Sequence, residues 1–465
     1  MIADLKPYPE YKDSGLPWLG QVPKHWDIRR AKFILREIDA RSDSGKEQLL
    51  RVSQYTGVTQ RKSVDGSEEP DTRASSLVGY KKVQPNDLVI NIMLAWNGSM
   101  GVSRFPGITS PAYCVYRFNE NVFSWYFHEV LRSPAYKQRI KTASTGVVES
   151  RLRLYSDDLG RIELPLPPPA EQAAIVRFLD WANGRLDRAI RAKRKIITLL
   201  NEQKQAIIHR AVTRGLDPDV KLKPSGIPWL GDIPEHWEVR RLKSLSAVKR
   251  GASPRPIADM RFFSDNGEYA WVRIKDVTAS NHYLEKTTER LSDLGKARSV
   301  ALEPGAIFLS IAGSVGKPVI SKIKCCIHDG FVYFPYFQGN AEFLYYIFSS
   351  GRVYAGLGKL GTQLNLNTET VGSIRVPWPD TTVQSAIVDK LDRDVIAFDV
   401  ATSHLEREIE LLREYRTRLV ADVVTGKLDV RAAAAKIRDE DILDAATIAD
   451  GASDEVETLE EGEEA

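Results

Sequence analysis

Gly313-Ser314-Val315-Gly316-Lys317 is the stretch that comes nearest to a phosphate cradle, because glycine amides followed by a lysine are what such a loop needs. It is too short for GxxxxGK(S/T), and Pro318 follows at once. Neither GxGxxG nor HExxH occurs. The Asn/Asp-Pro-Pro-aromatic stretch of an adenine methyltransferase is missing, since Ser110-Pro111-Ala112-Tyr113 lacks both the amide and the second proline. Asp217-Pro218-Asp219-Val220-Lys221 offers a nuclease-like set of charges but reads better as a linker. The seven histidines are scattered, and His25 and His236 read as structural. Cys114, Cys325 and Cys326 have neither disulfide-framework nor metal-ligand spacing. The expectation is therefore no catalytic residue and no metal.

What remains is hydrogen-bonding chemistry. Arg, Lys, Asn and Gln presented from loops can reach the edges of DNA bases. In the first half of the chain the candidates are Gln54, Tyr55, Gln60, Arg61, Lys62, Arg73, Asn97, Thr145, Ser150 and Arg151. In the second half they are Lys249, Arg250, Arg255, Arg273, Lys275, Thr362, Gln363 and Asn365. Trp96 and Trp271 read as core aromatics instead of base-stacking groups. The charge balance fits a polyanionic partner. The net charge is +3, but Asp439 to Ala465 holds 12 acidic residues and no Lys or Arg. The other 438 residues carry 65 basic and 50 acidic groups, a net of +15. No run of 18 apolar residues exists and the N-terminus lacks a signal pattern, so the expected setting is the reducing cytoplasm, with no membrane contact.

The elements that must position these residues come in duplicate. Ser14 to Lys32, SGLPWLGQVPKHWDIRRAK, returns as Ser225 to Lys243, SGIPWLGDIPEHWEVRRLK, at an offset of 211 with 12 of 19 positions identical. A mixed region follows each copy. Gln48 to Gln54, Asp87 to Met93, Tyr269 to Lys275 and Ala306 to Ile311 read as strands, and Phe123 to Leu131, Ala135 to Ile140 and Phe343 to Ser349 as helices. Ile162 to Leu166 and Gly372 to Val376 read as closing strands. The period then turns helical. Apolar residues recur at Ile175, Leu179, Leu186, Ile190, Ile197, Leu200, Ile207 and Ala211, and again at Ile387, Leu391, Val395, Phe398, Leu405, Ile409, Leu412, Leu419 and Val423. Both sets follow a heptad seam. Pro165 to Asp217 and Pro377 to Asp429 align without gaps at an offset of 212 and share 18 of 53 residues. The regions between are far less alike, so matching scaffolds carry differing bodies.

The PWLG…P…HW segment, a mixed domain, a closing strand running into Pro167-Pro168-Pro169-Ala170-Glu171-Gln172, and a heptad helix, all present twice, resemble the specificity (S, or HsdS) subunit of a type I restriction-modification system. The resemblance covers about Tyr11 to Asp429. Gly305 to Ser310 with Gly313 to Lys317, and Gly361-Thr362-Gln363-Leu364-Asn365, are similar to stretches of its target-recognition domains; Thr145 to Leu152 departs from that pattern, and Val383-Gln384 lacks the Glu of Glu171-Gln172. The fold class implied is α+β: two mixed target-recognition domains separated by two long antiparallel coiled-coil helices with a pseudo-two-fold. The expected domains are an N-terminal repeat segment (1–26), target-recognition domain 1 (27–166), spacer helix 1 (167–217), a linker with the second repeat segment (218–237), target-recognition domain 2 (238–378), spacer helix 2 (379–429) and a disordered acidic tail (430–465). The resemblance implies that each domain reads one half of a gapped asymmetric site in double-stranded DNA. It also implies that the helices set the gap and dock two methyltransferase subunits, and that motor-nuclease subunits join them. By the same resemblance, no cofactor is expected on this chain, and S-adenosylmethionine is expected on the methyltransferase partners. The competing readings are a stand-alone nuclease or methyltransferase with an unrecognised active site, and a coiled-coil adaptor that binds protein only.

Overall fold

The computed structural model describes residues 5–61, 74, 76–355, 357 and 366–441. The chain divides into two compact units. Unit 1 is built from Met1–Lys193 and Glu406–Ala465, and unit 2 from Arg194–Leu405. Each unit therefore takes one part of each of two long helices.

In unit 1, Asp27–Arg30 pairs antiparallel with Glu163–Leu166, which ties the end of the first repeated segment to the closing strand. Between them lies an antiparallel sheet in the order Leu35–Ile38, Cys114–Phe118, Leu88–Ile90, Met100–Val102. A hairpin of Leu50–Ser53 and Gly57–Gln60 adjoins it. The helices Ser124–Arg132 and Pro134–Ala143 cover the core, the second opening on a proline at its first turn. Trp26, Tyr126, Phe127, Tyr136 and Phe178 are fully buried there, joined by Leu419, Val423 and Val424 of the second long helix. Trp18 packs edge-on against Tyr136 with ring centroids 5.0 Å apart.

Unit 2 repeats the closure, with Glu238–Arg241 antiparallel to Arg375–Trp378. Its body differs. One five-stranded sheet runs Lys249–Arg250, Phe331–Tyr333, Ile307–Ser310, Pro318–Ser321, Tyr283–Leu284, and a four-stranded sheet contains a parallel pair of Tyr269–Val272 and Cys325–Ile327. Two boundaries move from the sequence-based reading. The strand expected to reach Lys275 stops at Val272, because the Asp276 carboxylate accepts the Arg273 amide at 2.8 Å and so caps the first turn of the helix Ile274–Ala279. The closing strand is Arg375–Trp378 instead of Gly372 to Val376, since Asn367 caps a helix over Thr368–Ser373.

The long helices are Pro169–Arg214 and Thr381–Val424, 46 and 44 residues. The first is about 70 Å long at ~1.5 Å per residue. Gly215 and Gly426 stop them in the left-handed region, at φ +75 and +79. Within unit 1 the helices run antiparallel, since Asp187 meets Arg416 while Lys193 meets Glu408. Within unit 2, Lys204 meets Asp399 at 2.5 Å. Ile175, Leu179, Leu186, Ile190, Ala211, Ile387, Leu391, Val395, Ile409, Leu419 and Val423 of the heptad seam are buried. Ile197, Leu200, Ile207, Phe398, Leu405 and Leu412 are half-buried.

The acidic tail begins later than 430. Val430, Ala433, Ala434 and Ile437, which recur at i, i+3, i+4 and i+7, are buried in the unit 1 core. Arg177 donates to the Ile437 carbonyl and to Asp439. Residues 442–465 lie outside the described residues.

Candidate nucleic-acid interface

In unit 1 the candidates gather on one hairpin. Ser53 and Gly57 face each other across a three-residue loop, and Gly57 closes it at φ +79, a conformation that suits glycine alone. Gln54 and Tyr55 occupy the tip, and Tyr55 is 53% exposed. Neither side chain has a hydrogen-bond partner among the described residues. Gln60 and Arg61 stand exposed at the other end. The Arg132 guanidinium, on the last residue of helix Ser124–Arg132, holds the tip from below. Nη1 donates to the carbonyls of Ser53 (3.3 Å), Gly98 (3.1 Å) and Met100 (2.7 Å), and Nη2 to those of Gln54 (3.1 Å) and Tyr55 (2.6 Å). The neighbouring His128 accepts the Val102 amide at Nδ1, and burial with Arg132 nearby holds its pKa well below the usual value, so the ring is neutral.

Other candidates are already engaged. Asn97 folds back on its own turn, accepting from the Ser99 amide (3.1 Å) and hydroxyl (2.9 Å). Thr145 bridges Arg153 through the backbone and reaches Asp158 at 3.3 Å. Arg151 is exposed in the 3-10 turn Glu149–Arg151. Trp96 is half-buried with Lys141 over its ring at 5.4 Å, and Trp271 is core, as read from sequence. Lys62 and Arg73 lie outside the described residues, as does the Ser150 side chain.

In unit 2 the second cluster forms around Asp329. Its carboxylate accepts from Ser253 (2.8 Å) and Arg255 (3.1 Å), and its carbonyl accepts from Arg250. The Ser253 hydroxyl, more than the nearby cations, holds the Asp329 carboxyl below the usual range. Arg250, Arg255 and Lys249 are exposed, so Asp329 presents two of them as a rigid basic edge. Arg273 is engaged with Glu289 at 2.5 Å, and Lys275 is exposed on the following helix. Thr362, Gln363 and Asn365 lie outside the described residues.

On the first long helix, Arg177, Lys193 and Lys204 pair with Asp439, Glu408 and Asp399, and Arg185 lies over Trp181. Among the described residues, no group of three or more His, Cys, Asp and Glu could hold a metal ion.

Beneath the differing bodies, the scaffold repeats to the atom. Gln172 is buried; its Oε1 accepts the Phe123 amide at 2.9 Å and its Nε2 donates to the Pro167 carbonyl at 2.7 Å. Gln384 is buried too, and makes the same bonds to Asn340 (3.0 Å) and Pro379 (2.8 Å). Glu171, without a counterpart in the second copy, gathers the Tyr8 hydroxyl, the Trp26 indole and His25, which accounts for His25 as structural.

The family model described as "Type I restriction modification DNA specificity domain" matches residues 234–411. The chain is 24% identical over 436 residues to the "Type I restriction enzyme MjaVIII specificity subunit" of Methanocaldococcus jannaschii, covering 88% of this chain and 95% of that one. Residues 234–411 thus match a DNA specificity domain, and over most of its length the chain is similar to the specificity subunits of type I restriction-modification systems. The "Type I restriction enzyme EcoKI specificity subunit" of Escherichia coli is 26% identical over 184 residues, 38% of this chain and 37% of that one. A chain from a solved structure on complex assembly and conformational transition of a type I R-M system superposes with a TM-score of 0.65. It is 16% identical and covers 87% of this chain and 98% of that chain, a likeness of fold. Sequence reasoning missed Arg132 and Asp329, the two residues that hold the candidate readers. Both are single charged residues without a motif, and only the fold brings them to their loops.

Proposed function

We propose that unit 1 and unit 2 each read one half of a gapped, asymmetric site in double-stranded DNA. The two long helices fix the gap and dock two methyltransferase subunits. Those subunits bind S-adenosylmethionine and methylate adenine, and motor-nuclease subunits complete the assembly in the cytoplasm. The observation that carries this reading is the contrast between scaffold and body: the Gln172 and Gln384 bonds are the same, whereas the sheets they support are not. A duplex has a local two-fold, and two tandem modules on matching scaffolds suit it. Unlike modules suit an asymmetric site, which a homodimer cannot read. Docking is supported by exposed apolar pairs at helical spacing on the long helices, Ile396 with Val400 and Leu411 with Tyr415.

The test is to express the chain with a methyltransferase subunit and map methylated adenines across a genome. A two-part site with a fixed gap is expected. Methylation at single short sites, or turnover by the purified chain alone with S-adenosylmethionine or magnesium, would refute the proposal.

A further inference from the structure

Arg132 reaches five carbonyl oxygens of two separate loops, all within 3.3 Å. One loop is the hairpin tip that carries Gln54 and Tyr55. The other is the turn at Gly98 and Met100, where a Cβ at Gly98 would run into Lys137. Gly57 and Gly101 meet backbone to backbone, with the hypothetical Gly101 Cβ 3.1 Å from the Gly57 Cα, and the His128 ring closes the same space, its Cε1 3.1 Å and 3.2 Å from the hypothetical Cβ atoms of Gly57 and Gly101.

A base edge is read only if donors and acceptors stand within a few tenths of an ångström of their partners, which demands a fixed backbone beneath them. A planar guanidinium with five donors can bridge two loops at once; a lysine, with three donors on one nitrogen, cannot span the same oxygens. Among the described residues of unit 2 nothing is equivalent. Counting from the amides that bond Gln172 and Gln384, Phe123 and Asn340, the place of Arg132 falls to Ser349. The alignment is confirmed one residue on, where Ser133 and Ser350 both donate to the carbonyl three residues back at 2.7 Å. Ser349 bonds only within its own helix, to the Tyr346 carbonyl.

We propose that Arg132 is a positioning residue for readout by unit 1: it locks the Gln54–Tyr55 tip to the 98–100 turn, and it governs one half-site only. This rests on the two-half-site reading above.

The full chain, with its methyltransferase subunits, is used to select from a randomised duplex library, as wild type, Arg132→Lys, Tyr55→Ala and the double variant. Arg132→Lys is expected to lose about tenfold discrimination at the base positions that Tyr55→Ala also relaxes. The other half-site and the gap should stay unchanged, and the double variant should do no worse than the weaker-reading single. An unchanged half-site overturns the proposal. Additive losses in the double variant overturn it as well, because the two residues would then act independently. Loss of every position in that half-site with a lowered thermal midpoint overturns it too, leaving Arg132 a plain structural residue. A wild-type chain that selects no two-part site sinks the functional reading itself, an outcome distinct from all three.

Discussion

Gln172 and Gln384 make the same two hydrogen bonds, each joining the first turn of a long helix to the amide that opens a helix of its domain. Replacing either with alanine strands a buried amide and a buried carbonyl, at about 1–3 kcal/mol. The two losses should be alike and should add, because the residues lie in different units. Chemical unfolding of Gln172→Ala, Gln384→Ala and the double variant checks this, and a silent single variant would show that water replaces the amide.

A second correspondence concerns charge. Asp187 and Asp399 are equivalent in the two copies, and so are Lys204 and Arg416. The bridges Asp187 with Arg416 and Asp399 with Lys204 are thus one contact made twice, once per unit. Both are partly exposed, so truncating Arg416 to alanine should cost under about 1 kcal/mol. Reversal is a sharper probe. Asp187→Arg should destabilise, and adding Arg416→Asp should restore stability. A double-mutant cycle with no coupling would leave the bridge without energetic weight.

Helix length should set the gap. Removing four residues from each long helix, away from the bridges, shortens the pair by about 6 Å. That is about two base pairs at ~3.4 Å each. The methylated site should keep both half-site sequences and lose about that much spacing. An unaltered gap in the methylation map would refute the spacer role.

Glu129 gives a pH signature. Burial, with Asp180 beside it, pushes its carboxyl up to about 7, against the pull of Arg132 and Arg416. The folded chain therefore holds this proton more tightly than the unfolded chain, where glutamate titrates near 4.5. Below that value both states are protonated and the group is neutral to stability. Its ionisation destabilises the fold increasingly as pH climbs, fully so above about 7. Glu129→Gln should raise the thermal midpoint more at about pH 8 than at about pH 5. Equal shifts at both would mean an ordinary carboxyl.

The duplication, both long helices and the separation of scaffold from body were legible because they rest on repeats and on period. Heptad positions such as Ile175 and Leu391 announce themselves by spacing. The strand leading to Gln54 was legible as well, though not the hairpin that it forms with Gly57–Gln60. Its anchor was not, since Arg132 lies some 77 residues along the chain from Tyr55 and acts on main-chain oxygens that any sequence would supply. The bonds of Asn97 were hidden for a related reason: a loop amide does not show in sequence that its own turn claims the side-chain oxygen. The start of the acidic tail was misjudged because Val430 to Ile437 is too short and alanine-rich to register as a packed segment.

Unit 2 is one continuous stretch, 194–405, while unit 1 needs both ends of the chain. Its core is incomplete without Leu419, Val423 and Val430. On the ribosome, the amino-terminal body emerges first yet must wait with apolar surface uncovered until the last helix arrives, so the later-made unit is the earlier to mature. Synthesis order and assembly order are thereby reversed, and a nascent chain stalled after the second body would carry one finished reader and one unfinished.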